Sequence, residues 1–357
     1  MKARSSIIVV LLLMVFLSTA CGQSTAPVSG GESTAPKEST GIKESAANGA
    51  EASKAASAAP EKAVDLKKIS ISVPAKSLVF LPHYIGVEKG IYKEAGIDLN
   101  IQVLKPSAAV AASISGEVPY TGSLGSSLRS VVTGGSDLKV VMVTLDNLAF
   151  SLFGAKDIKS EQDLTGKTVM VTNSGATDHY ALKMILQNAG MDPIKSVNIV
   201  SSSTTANSYQ SLVQGAAQGA ILSPPYSQMA EQEGYPRLKN SIDVLKRGNA
   251  GVSVDGKYLE NNKEEVTSML QATLESMKYI VENREETIAF IETFWELKPE
   301  LAEGAYEDIV ILISKDGTME EEVFAEEIQE VTAETGTEFK GEVTDAVDFT
   351  IVKSLSK

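Results

Sequence analysis

The sequence predicts an α/β fold of two similar lobes completed by a helical C-terminal region, and three observations carry that prediction. From 67 to about 223, short apolar runs alternate with amphipathic stretches, the spacing of strands joined by helices in parallel sheets. Two segments share one grammar: Ser113-Ile-Ser-Gly-Glu-Val-Pro-Tyr-Thr-Gly-Ser123 and Ser211-Leu-Val-Gln-Gly-Ala-Ala-Gln-Gly-Ala-Ile-Leu-Ser223 each read helix end, glycine, strand, serine-containing loop. Beyond about 263 the strand signals fade and helical patterns remain.

Taken in order, the chain opens on Lys2 and Arg4, followed by an unbroken apolar run over 7–17. That run is shorter than the ~20 residues a membrane span needs and suits a signal-peptide core. It leads through Leu17-Ser-Thr-Ala into Cys21, the only cysteine. The ending resembles a bacterial lipobox, with Ser18 where a leucine is usual. Residues 1–21 are therefore expected to be a signal peptide with lipidation at Cys21; the alternative is ordinary secretion with a free thiol. Residues 22–65 are Ala, Ser, Thr, Gly, Glu and Lys with almost no large apolar side chain. Such a segment cannot bury enough surface to offset its ordering entropy, so a disordered tether with a reach of roughly 35 Å is expected.

Strands are expected at 68–73, 98–104, 118–121, 138–144, 168–172, 197–200 and 219–223. Helices are expected at 82–89, 108–115, 125–133, 177–188 and 208–214, with another beginning near Tyr226. The C-terminal helices are placed at 264–283, 285–295, 300–313 and 320–335, their charged outer faces read as solvated surface.

Composition excludes a good deal. Lys and Arg total 32 against 46 Asp and Glu, for a net charge of −14. Such a surface repels phosphate backbones, so no nucleic-acid partner is expected. One cysteine rules out an internal disulfide, and His83 and His179, the only histidines, leave little for a metal site or imidazole catalysis. No Gly-x-Ser-x-Gly elbow occurs. Gly166-Lys167-Thr168 has the tail of a phosphate loop, but Glu161 stands where its first glycine is required. The carboxylate pairs Glu264/Glu265 and Glu285/Glu286 lack an apolar sequence setting. Neither an enzyme nor a cofactor is expected.

The segment Phe80-Leu-Pro-His-Tyr-Ile-Gly-Val-Glu-Lys-Gly-Ile-Tyr-Lys-Glu-Ala-Gly-Ile-Asp98 resembles the opening of a solute-binding family whose members take nitrate, alkanesulfonates, taurine or thiamine pyrimidine precursors and feed ABC importers. Ser115-Gly-Glu-Val118, Asp163-Leu-Thr-Gly-Lys-Thr168, Asn173-Ser-Gly-Ala-Thr-Asp178 and Ala220-Ile-Leu-Ser-Pro-Pro225 continue the resemblance in order, with Pro119 where the family usually has Asp. It covers roughly 69–353. It implies a type II periplasmic-binding-protein-like fold with two hinge crossovers, near 147–152 and 248–254. Lobe one would be 66–147 plus 251–357, and lobe two 148–250. The family also holds a pyrimidine-forming enzyme whose activity goes with a cysteine-rich motif that this chain lacks.

In open α/β sheets, ligands sit beyond the carboxyl ends of strands, at helix N-termini. Lobe one then offers Ser77, Phe80, Leu81, His83, Ser107, Gly122, Ser123, Leu124 and Asn147. Lobe two offers Ser174, Gly175, Ala176, Thr177, Ser223, Pro224 and Tyr226. These are mostly hydroxyls, amides and backbone N–H groups, able to bind an anion or a polar heterocycle without a formal positive charge, and no arginine lies in these loops. His83 is open between lining the cleft and packing in the core; His179, in a first helical turn, reads as solvent-facing. Asp178 is expected to complement its helix dipole, and Trp295 to be C-terminal core. The function expected is a monomeric, lipid-anchored, extracytoplasmic binding subunit. It would capture a small molecule and hand it to an ABC permease and its ATPase. A ligand-presenting protein for a membrane sensor is the alternative, and a pyrimidine-precursor enzyme a more distant one.

Overall fold

The computed structural model describes residues 66–356, so the expected signal peptide, Cys21 and the tether lie outside the described residues. Strand β1 (Lys67–Val73) leads into helix α1 (Leu81–Glu88), the short α2 (Ile91–Glu94) and β2 (Ile97–Val103). Then come α3 (Pro106–Ser115), β3 (Tyr120–Ser123), α4 (Leu124–Val132) and β4 (Leu138–Leu145). The second half repeats the plan: β5 (Ser151–Gly154), β6 (Thr168–Val171), α5 (Thr177–Asn188), β7 (Asn198–Ser201), α6 (Thr205–Val213), β8 (Gly219–Leu222), α7 (Tyr226–Gln232) and β9 (Arg237–Asn240). The chain then returns through β10 (Ala250–Asp255) to α8 (Gly256–Asn261), α9 (Lys263–Glu282), α10 (Arg284–Trp295), α11 (Pro299–Val310), α12 (Glu321–Thr335) and α13 (Thr350–Leu355).

Two five-stranded sheets result, ordered β2-β1-β3-β10-β4 and β7-β6-β8-β5-β9. They are topologically equivalent, and the two segments with shared sequence grammar become the α3–β3 and α6–β8 junctions at matching places. The fold is the two-lobed, type II binding-protein arrangement. The expected parallel pairing holds among β1, β2 and β3 and among β6, β7 and β8, but β10 runs antiparallel to β3 and β4, and β5 antiparallel to β8 and β9. Each odd strand enters its sheet from the far side of a passage between the sheets, which reverses its direction. These passages run from the end of β4 to β5 and from β9 to β10.

Local chemistry explains the boundaries. Pro106 opens α3 at a position where its missing N–H costs nothing, and Gly116 closes it at φ 76°, a left-handed conformation open to glycine. Pro119 has no N–H for a ladder, so β3 starts at Tyr120 rather than 118. The Thr204 hydroxyl accepts from the Asn207 N–H at 3.1 Å and starts α6 before the expected 208.

One core cluster joins the first sheet to α1, α4 and the C-terminal helices. The central strands β5, β6 and β8 of the second sheet are buried on both faces. Leu152, Val169, Val171 and Ile221 pack under α5, while Phe153, Met170, Ala220 and Leu222 pack under α6. Alternate residues of these three strands thus serve opposite layers. Glu265 departs from the expectation of a solvated carboxylate. It is buried, accepts from the hydroxyls of Tyr120 (2.8 Å) and Tyr258 (2.7 Å), and pairs with Lys67 at the start of β1.

Candidate functional site

The first lobe presents the ends of β1 and β3. After β1 the chain turns through a short 3-10 helix, Leu78–Phe80, where the Ser77 hydroxyl accepts from the Val79 N–H at 3.5 Å. The Phe80 ring closes over Gly122. A Cβ at Gly122 would lie 3.2 Å from that ring, so the absence of a side chain lets the two loops meet. Ser123 precedes α4; its carbonyl accepts from the hydroxyls of Ser126 (3.2 Å) and Ser127 (2.9 Å), while its own hydroxyl caps nothing.

Three predicted lobe-one residues are spent on packing. Leu81 and Leu124 are almost wholly buried, Leu124 against Gly248 and Gly251. His83 is fully buried, its Nδ1 3.0 Å from the Tyr92 hydroxyl, which in turn bonds Thr273 at 2.9 Å. Burial pushes the His83 imidazole down to about 4, the neighbouring Gly251 backbone opposing only in part. A neutral histidine inside the lobe answers the choice the sequence left open.

In the second lobe, the turn after β6 is held from both ends. Asp178 is buried and accepts from the Thr172 N–H and, at 2.8 Å, the Thr172 hydroxyl, so it braces the loop it follows rather than only facing the helix dipole. Burial raises its carboxyl above the ordinary range, against the pull of the Thr172 bonds. Gly175 sits at φ 77° and donates its N–H to Nδ1 of His179 at 2.9 Å. His179 is thus half-buried and holds the loop; burial first, then Lys183, lowers its imidazole. Ser174 is exposed, whereas Ala176 and Thr177 are half-buried. After β8, Ser223 is 6% exposed, and its carbonyl accepts from the N–H groups of Tyr226 (2.9 Å) and Ser227 (3.3 Å). The Pro224-Pro225 bond is cis, and Tyr226 packs on Tyr209 with ring centres 5.7 Å apart.

Several of these pieces meet. The first turn of α4 faces the first turn of α5: a Cβ at Gly125 would lie 3.4 Å from the Thr177 hydroxyl. One at Gly175 would lie 3.6 Å from the Arg129 guanidinium. Helix α11 packs against both Leu78–Phe80 and α7, where Gln228 donates to Asp308 at 2.6 Å and to the Gly304 carbonyl at 3.3 Å. Of the predicted residues, Thr177 and Gly175 thus face α4 across the lobes, while Phe80 is buried in the first-lobe core against Gly122. Ser107 is exposed on α3, and Asn147 accepts from the Leu148 N–H at 2.8 Å in the first passage between sheets; no described contact joins either to the rest. Trp295 packs with Tyr84, Phe290 and Phe294 and donates to the Lys76 carbonyl at 3.3 Å, while Lys76 donates to the Phe294 carbonyl at 2.7 Å.

Sequence reasoning missed a charged seam along α12. Arg247, in the second passage, is 9% exposed; it pairs with Glu327 at 2.6 Å and Glu330 at 2.8 Å and lies 4.1 Å over the Tyr180 ring of α5. Glu334 pairs with Arg129 of α4 and with Lys183 of α5. Tyr180 also donates to Glu330, whose carboxyl is raised by burial. Arg129 and Arg247 stand outside the loops expected to form the cleft, and each is matched to carboxylates. The face bearing Glu327, Glu330 and Glu334 has helical spacing but no sequence mark separating it from a solvated face. A separate open groove of about 520 Å³, lined among others by Asp146, Lys246, Asp316 and Glu320, shares no residue with the predicted set.

The comparisons agree with this architecture. A family model described as NMT1/THI5 like matches residues 77–287. YtlA of Bacillus subtilis (strain 168), which carries a binding-protein name, is 20% identical over 251 residues, 68% of this chain and 75% of that protein. The ligand-binding component of an ABC-type import system from Staphylococcus aureus superposes with a TM-score of 0.65 at 14% identity, covering 81% of this chain and 99% of that one. The periplasmic aliphatic sulphonate binding protein SsuA from Escherichia coli gives 0.63 at 18%, covering 78% and 90%. The desulfurization enzyme DszB shares the fold at 0.57 and 10%, covering 81% and 98%. At these identities the structural matches speak for the fold.

Proposed function

The chain belongs to the NMT1/THI5-like family, and from that premise we propose that it is the extracytoplasmic, lipid-anchored binding subunit of an ABC importer. It captures a small polar ligand, an organic anion of the sulfonate kind or a pyrimidine-type heterocycle, between its lobes and delivers it to a permease and ATPase. The observation that carries this reading is the approach of the α4 and α5 first turns across the lobes, Gly125 to Thr177. Helix N-termini supply N–H groups and a favourable dipole field, and two lobes joined by two passages can close on a ligand as a clamp. Hydroxyls at Ser123 and Ser223 add short-range recognition. The match to DszB leaves an enzyme as a competing reading, but a thiol nucleophile has no place in the interlobe region, because the chain's only cysteine is Cys21.

A thermal-shift screen of alkanesulfonates, taurine, nitrate and pyrimidines tests the reading, followed by small-angle scattering with the best binder. A stabilising ligand that also reduces the radius of gyration is the expected result. An unchanged radius at saturation would sink the clamp, and turnover of the ligand would sink the transport role.

A further inference from the structure

We infer that Glu327 sets the charge selectivity of the interlobe site: its carboxylate occupies the seat an anionic ligand would need, so the site takes ligands without net negative charge. The inference rests on the binding-protein reading and narrows its ligand class.

The geometry converges on one point. Gly125 is the second residue of α4, where open N–H groups and the helix dipole favour an anion. A Cβ built there would meet the Thr177 hydroxyl of the other lobe at 3.4 Å and Glu327 Oε1 at 3.7 Å. Glu327 is 3% exposed, and Oε1 lies 2.6 Å from Arg247, outside hydrogen-bonding alignment. A buried carboxylate therefore already stands beside the α4 N-terminus and faces the arginine nearest to it. The remaining cations are answered in the same way: Arg247 also by Glu330, Arg129 and Lys183 by Glu334. Three carboxylates from successive turns of α12 balance three cations on α4, α5 and the second passage. An incoming sulfonate or nitrate would find no unmatched positive charge to pair with, because each cation beside the α4 N-terminus is already neutralised by a carboxylate of α12. A neutral ligand needs no such partner and meets hydroxyls and N–H groups.

The test compares the purified full chain with Glu327→Gln, an isosteric change that keeps the hydrogen-bonding capacity and removes the charge. Calorimetry uses sodium ethanesulfonate, sodium nitrate and the uncharged probe cytosine. The expected result is no measurable anion binding by the wild type and a gain of about tenfold or more in anion affinity for the variant, the worth of one charge-assisted hydrogen bond. Glu334→Gln, at the more exposed end of the seam, should give a smaller gain through Arg129 and covers the case in which the buried variant fails to fold. A seam that is only structural would lower the melting temperature of both variants without any gain in anion binding, and that overturns the inference. Wild-type binding of ethanesulfonate or nitrate also overturns it while upholding the binding-protein reading. Failure of that reading looks different: no probe, charged or neutral, shifts the wild type, although the variant still gains anion binding.

Discussion

Acidification should destabilise the first lobe through His83, by an amount the structure sets. The imidazole is fully buried, bonded at Nδ1 by the Tyr92 hydroxyl, and held down to about 4 against an ordinary 6.5. Between those values the unfolded chain binds a proton that the folded chain refuses, so folding stability falls as pH drops from 6.5 toward 4 and is fully present above 6.5. At about 1.36 kcal/mol per pH unit the gap is worth about 3 kcal/mol. Asp146, Asp178 and Glu330 act with the opposite sign, because burial raises their carboxyls and the folded chain takes up protons first. Only a difference between two proteins isolates the histidine. Urea unfolding of wild type and His83→Gln, followed by Trp295 fluorescence at pH 7, 6, 5 and 4.5, makes that comparison. The variant should be the less stable at pH 7, having lost a fitted partner for Tyr92, and the two should converge as pH falls. A constant difference across the range would mean that His83 titrates normally and faces water.

Three further outcomes are expected. Ser123→Ala and Ser223→Ala should each weaken binding of the cognate ligand by up to about tenfold in calorimetry, as the loss of one neutral hydrogen bond requires; abolition by either would move the chemistry elsewhere. Gly251→Ala should cost about 3 kcal/mol in urea unfolding, because the new Cβ would stand 2.1 Å from the Met142 carbonyl in the neighbouring strand; a variant as stable as the wild type would refute that packing. Cys21→Ala should move the protein from the membrane fraction to the soluble one, with loss of labelled fatty acid seen on the wild type. A wild type that never carries label would end the anchor proposal.

The sequence by itself determined what rests on local pattern. Helix α5 is found at Thr177–Asn188, as read from its apolar period and its Gly-Ala-Thr-Asp entry, and β1, β2, β4, β6 and α9 fall within two residues of expectation. The equivalence of the two halves was legible in the matched segments 113–123 and 211–223. The loops proposed for the site lie at strand ends and helix starts, which are local features a sequence can mark. What tertiary structure decided is every relation between distant parts. Strands β5 and β9 are four residues each and exist only by pairing with one another and, for β5, with β8, so no periodicity announces them. His83, Leu81 and Leu124 sit in site-forming segments but point inward, since a helix start presents some side chains to the cleft and some to the core. Arg247 lies in a Gly/Asn-rich linker and meets Glu330 across 83 positions of sequence. Charges and short strands of this kind carry no period of their own; only the path of the folded chain determines which of them meet.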